Sequence, residues 1–189
     1  MSSADDIRQE CWTKATHCLA TSYIFQLKSK KYGDYQRYNN ILGLIVPLSI
    51  GAVAGTYGSQ TEHLKWALII AAPFSIAQVI ISGLALANKW ESNLSYSLES
   101  QTENRLLSED YKSLAKYPPE IYSDLKHKFE LLTTKDNERT KQDEKITFSD
   151  KENRKGLRYS LMILQIQCAV CSVKPTSMSP TDCTNCGSF

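Results

Sequence analysis

Two long stretches of the chain carry no charged side chain. One runs 24 residues from Tyr38 to Thr61, the other 23 residues from Trp66 to Asn88. A helix rises about 1.5 Å per residue, so roughly 20 apolar residues cross a bilayer core of about 30 Å. The second stretch has that length outright, and the first reaches it when Ile41 is extended to about Gly58. Tyr38, Tyr57, Trp66 and Trp90 lie at the ends, where interfacial aromatics belong. Pro47 and Pro73 would kink soluble helices badly but are tolerated in spans. The pattern predicts membrane spans over 41–58 and 66–88; the alternative is a hairpin buried in a soluble bundle.

Elsewhere the apolar spacing is helical. Ile7, Cys11, Ala15, Cys18 and Ser22 recur at steps of four and three, behind a capping box of Ser3 and Asp6. This predicts a helix from about Ser3 to Lys31. Trp90, Leu94, Gln101, Leu106 and Leu107 continue a helix beyond the second span until Pro118-Pro119 stops it. Ile121, Leu125, Phe129 and Leu132 mark another helix. Residues 135–155 hold 13 charges in 21 positions and read as a solvated loop or hinge. Ser149 and Glu152 form a second capping box for a helix through about Ile166, with Leu157, Leu161 and Leu164 inward. The expected organisation is therefore mainly α: an N-terminal cytoplasmic helix (1–38), a two-span transmembrane hairpin, a cytoplasmic helical region (89–167) and a small C-terminal module (168–189).

Composition sharpens this picture. The 142 residues outside the charge-free stretches carry all 42 charges of the chain, a density typical of soluble segments. The net charge of +2 gives no sign of a polycationic nucleic-acid binder. Lys28, Lys30, Lys31 and Arg37 precede the first span and Lys89 follows the second, whereas the short link 59–65 has only Lys65. That imbalance places both chain ends in the cytoplasm and the hairpin in the inner membrane. The acidic, polar start is not a signal peptide.

The strongest chemical signal is Cys168-x-x-Cys171, eleven residues, and Cys183-x-x-Cys186 followed by Gly187. Each pair can direct two thiolates at one tetrahedral ion, so the four form a closed, structural zinc-ribbon-like site with no position left for a catalytic water. A short hairpin through Lys174-Pro175 would join the pairs. Lys174 is the one cation in 168–189, which argues against phosphate binding there. Cys11 and Cys18, two turns apart, are packing residues, with redox or lipidation roles as the alternative. His17, His63 and His127 stand alone. No phosphate loop or hydrolase motif is present, so no enzyme is expected.

Within the second span Ala71, Ser75, Gln78, Ser82 and Ala85 form a small or polar stripe. On the first, Gly51, Gly55 and Gly58 form a small face suited to close helix packing. The stripe has two readings: it packs helices together, or it lines a water-filled path in an oligomer.

The cysteine spacing, with Leu157-Arg-Tyr-Ser-Leu-Met162 before it and Lys174-Pro-Thr-Ser-Met178 between the pairs, resembles the mobilome CxxCx(11)CxxC family. With the two spans it is similar to the SLATT superfamily. That resemblance implies a membrane effector of a bacterial conflict or mobile-element system, one that oligomerises and permeabilises the lipid bilayer, and a signalling or sensor protein as partner. The alternative is a membrane-anchored scaffold that docks a partner through its zinc module and helices.

Overall fold

The computed structural model describes residues 3–57 and 62–189. Five helices follow in order: α1 (Ala4–Tyr57), α2 (Glu62–Ala87), α3 (Trp90–Lys116), α4 (Tyr122–Asp143) and α5 (Asp150–Leu164). No strand occurs among the described residues. The chain divides into two units, one made of residues 1–27 and 97–189, the other of residues 28–96.

In the first unit the predicted N-terminal face is the core. Ile7, Cys11, Ala15 and Cys18 of α1 meet Leu107, Tyr111, Leu114 and Ala115 of α3 and Leu125 of α4, all buried. Trp12, Phe129, Leu132 and Leu164 close over them. Each such large side chain contributes about 1.5–3 kcal/mol by leaving water. Small residues let α1 and α3 approach closely. Ser108 Oγ donates to Ala15 O at 2.7 Å, and Ser22 Oγ to Gln101 O at 2.8 Å. The expected capping box opens α1: Ser3 N donates to Asp6 at 2.7 Å, and Asp6 N to Ser3 Oγ at 3.1 Å.

α5 also starts on its expected capping box, Ser149 with Glu152. It ends at Leu164, on Gln165 in the left-handed conformation. Its Gly156 is seated hard against α1: a Cβ there would lie 2.8 Å from Ala20 O and 2.9 Å from Ile24 Cγ1. Tyr159 stacks on Tyr23 with ring centroids 4.0 Å apart.

Two expectations fail here for physical reasons. The helix expected to stop near Lys31 runs on to Tyr57 with Pro47 inside it, as a proline is tolerated in an apolar span. The charged segment 135–155 is a loop only at 144–149, between α4 and α5. α4 continues through it to Asp143, and Asp136, Arg139 and Asp143, spaced to share one helix face, are buried. Arg139 donates to Asp143, Glu99, Glu103 and Ser100, and Asp143 also accepts from Ser100 and Asn104. Asp136 accepts from Lys14 at 2.8 Å and from Tyr111 at 3.3 Å. These charges have partners on α1 and α3, and that is what lets them sit inside.

In the second unit the two apolar segments pair side by side. Leu42, Val46, Ile50 and Val53 of α1 face Ala67, Ile70, Ala71 and Phe74 of α2 around a cleft of about 380 Å³. The most apolar stretches of both helices have no buried residue, with Val79 72% and Leu86 81% exposed. This is the reverse of a hairpin buried in a soluble bundle. Both helices are long and apolar enough to cross a membrane.

Candidate metal centre

The tail begins directly after α5. Ile166 N returns to Leu161 O, which turns the chain into the first cysteine pair. There Ser172 N donates to Cys168 O at 2.8 Å and Cys168 N to Val173 O at 3.0 Å, folding a tight turn with Ser172 at positive φ. The second pair folds similarly: Gly187 N and Ser188 N both donate to Cys183 O at 2.9 Å. Gly187 is required there, because a Cβ would collide with Thr181. The chain between the pairs, expected as a short hairpin, is irregular.

Arg158 of α5, itself buried, fastens the tail. Its Nε donates to Ser177 O at 2.7 Å, and its Nη1 reaches Thr181 Oγ1 and Cys186 O, each at 3.4 Å. Arg154 adds a bond to Ser188 O at 2.9 Å. Leu161, Leu157 and Ile166 pack against the buried Cys168 and Cys186.

These contacts bring Cys168, Cys171, Cys183 and Cys186 together, with all four sulfurs within 4.8 Å of one another. Cys168 and Cys183 are 4.0 Å apart, Cys171 and Cys186 3.9 Å. Four sulfurs at about 2.3 Å from one tetrahedral ion are about 3.8 Å apart, so the cage fits zinc. Its electrostatics fit too. Burial resists charge on Cys168, but the backbone N–H groups of Cys171 and Val170 and the neighbouring thiols outweigh it and bring the thiol down to about 6. Backbone N–H groups of Cys186 and Asn185 lower Cys183. Burial, and bonds to the charged sulfurs beside it, push Cys186 strongly up. The cage thus favours some thiolates and resists the last, and a divalent cation relieves that resistance. Asn185 Nδ2 lies 3.8 Å from the Cys168 sulfur as an outer support.

Cys11 and Cys18 are packing residues of the core and lie apart from this cage. Burial pushes Cys11 up to about 11, and burial beside Asp136 pushes Cys18 higher still. Among the described residues, the four tail cysteines are the one group of metal-ligating side chains that converges.

The stripe on α2 is placed by its partner helix. Ala71, Ser75, Gln78, Ser82 and Ala85 are half-buried, while their neighbours Val79, Ile80 and Leu86 point outward. Gln78 Nε2 donates to Asn39 O and Asn39 Oδ1, both at 3.2 Å, and to Ser82 Oγ at 3.0 Å. Gly43 of α1 is close enough that a Cβ would lie 3.1 Å from that amide. Gln78 therefore lies level with Asn39, near the charged end of the α1 apolar segment rather than at the middle of the pair. Gly51 and Gly55 are exposed, with nothing within 4 Å of a Cβ built on either. They take no part in pairing the hairpin. Gly58 lies outside the described residues.

Sequence reasoning did not find the roles of Arg158, Arg139 and Asn39. For Arg158 the available signal was one arginine between the apolar positions Leu157 and Leu161 of a helix leading into the cysteines.

Residues 8–189 match the family described as mobilome CxxCx(11)CxxC protein, and the chain belongs to that family. No curated protein and no solved structure matches it. Family and apolar helices together fit a membrane-associated protein of mobile elements.

Proposed function

We propose that this mobilome CxxCx(11)CxxC protein is a non-catalytic membrane effector whose hairpin anchors it in the inner membrane, both chain ends cytoplasmic, and whose zinc-fastened helical unit docks a partner protein. One observation carries the anchoring half: the Asn39–Gln78–Ser82 bonds use the polar stripe as the hairpin's own seam. The outward faces are then left apolar, suited to lipid and not to water. The zinc is structural, since four thiolates leave no open position. Lys174, alone in the tail as a cation, makes a protein a better partner than nucleic acid.

A second reading, permeabilisation by a homo-oligomer as SLATT likeness implies, has its own support. Gly51 and Gly55 offer a small outward face for self-association. Gln78 Oε1 is buried and accepts no hydrogen bond from the described residues. This reading requires the seam to open so that Gln78 faces water. Dye leakage from liposomes separates the two. The anchor reading expects the protein to float with liposomes and release no dye. Leakage that falls in Gln78→Leu while assembly persists would replace it with the permeabilising reading. Impermeant thiol reagents applied to spheroplasts should leave Cys183 unlabelled, and labelling there would overturn the topology.

A further inference from the structure

A cleft of about 260 Å³ in the second unit is lined by Gln36 and Asn39 of α1, Ser82, Ala85 and Leu86 of α2, and Glu91 in the first turn of α3. We propose that it binds the primary ammonium headgroup of a membrane lipid of the phosphatidylethanolamine class. This rests on the membrane reading above.

The cleft is chemically mixed in a way that suits one end of a lipid. Glu91 has no ion-pair partner among the described residues, and Gln36 has no hydrogen-bond partner among them. They offer a carboxylate and a carboxamide oxygen to an N–H donor. Asn39 and Ser82 form the inner wall and are held in place by the Gln78 amide, whose own carbonyl oxygen is buried and unbonded. Ala85 and Leu86 supply the apolar part of the lining, and Leu86 turns its side chain outward, where an acyl chain would run.

The surroundings mark the depth of a headgroup. Tyr35 and Trp90 touch at a centroid distance of 5.1 Å, and Lys31 lies over the Tyr35 ring at 5.8 Å. Aromatic pairs of this kind belong at a membrane–water interface. Arg37 follows Gln36 and Lys89 lies two residues before Glu91 in sequence, and they supply cations for a lipid phosphate. Cations near a carboxylate that has no ion-pair partner among the described residues match a zwitterion whose phosphate meets the cations and whose ammonium faces Glu91. A choline headgroup has the same charges but no N–H to donate, so the site discriminates between them by hydrogen bonding.

The test uses the full chain in vesicles of phosphatidylethanolamine and phosphatidylglycerol, with matched vesicles in which phosphatidylcholine replaces the ethanolamine lipid. Flotation is read first, then lipid retained after transfer to mild detergent, by native mass spectrometry. The chain should float with both vesicles and retain one ethanolamine lipid but no choline lipid. Glu91→Gln should float equally and retain about tenfold less, the size of one charge-assisted hydrogen bond. Gln36→Leu should also reduce retention. Flotation with equal retention of both lipids, or undiminished retention in Glu91→Gln, overturns the site alone. Displacement of the lipid by free phosphoethanolamine overturns a lipid as the occupant. Failure to float with either vesicle overturns the membrane reading and the site with it.

Discussion

Arg139→Met should destabilise the helical unit by about 3–5 kcal/mol, the cost of breaking a buried ion pair from one side. The magnitude comes from what each partner of Arg139 keeps. Glu99 and Glu103 are 55% and 51% exposed, so water replaces the guanidinium there and each loss is under about 1 kcal/mol. Asp143 is 7% exposed and has no such recourse. It keeps Ser100 and Asn104 but loses the cation opposite it. The carboxylates act in return on Arg139: burial works against its charge, but its bonds to Asp143, Glu103 and Glu99 hold the guanidinium above its ordinary value. The assay is urea unfolding of the full chain in detergent, followed by Trp12 fluorescence in a Trp66→Phe, Trp90→Phe background, since Trp12 packs on the core. Adding Asp143→Leu to Arg139→Met removes the orphaned charge and should recover the protein to within about 2 kcal/mol of the parent. A loss below about 1 kcal/mol in the single variant, or no recovery in the double, would refute this account of the network.

Protein purified without chelator should carry one zinc per chain; Cys186→Ser should lose it and unfold the tail while far-ultraviolet circular dichroism of the five helices is kept, and a parent without zinc would count against the site. Gly156→Val should lower the urea midpoint. Overpacking against the Ala20 carbonyl costs about 1–3 kcal/mol, more than the few tenths of a kcal/mol gained in helix propensity. An unchanged midpoint would mean that α5 is not seated on α1. Arg158→Ala should leave zinc bound but raise amide exchange across Ser177 and Thr181, and unaltered exchange would deny Arg158 its fastening role.

Much of this was legible in the residues. Ile7, Cys11, Ala15 and Cys18 announce their buried face by spacing alone, and both capping boxes form where Ser and an acidic residue stand three apart. The four cysteines pair off as their spacing expects, each pair on its own tight turn. What spacing could not tell was which polar positions are buried. Asp136, Arg139 and Asp143 look like any solvated run until Lys14 and Tyr111 are brought to the first, and Glu99, Ser100 and Asn104, some forty residues away, to the other two. The helical period likewise puts Gln78 on the right face of α2, yet its level in the hairpin depends on Asn39, which lies just outside the apolar core that begins at Ile41.

The polar seam between α3 and α4 repeats itself. Glu99 and Glu103 are one turn apart, and so are Ser100 and Asn104. Viewed from Arg139 and Asp143, α3 presents an acid beside a hydrogen-bonding neighbour, then an acid and a hydrogen-bonding neighbour again about 6 Å further on. Such a surface is a ruler with identical marks: it fixes that the helices meet, and which faces meet, but cannot count turns. The counting falls to Tyr111, a large side chain between the smaller Leu107 and Leu114, which fit the α1 and α4 side chains in one alignment. The charges supply adhesion and the apolar residues supply the address.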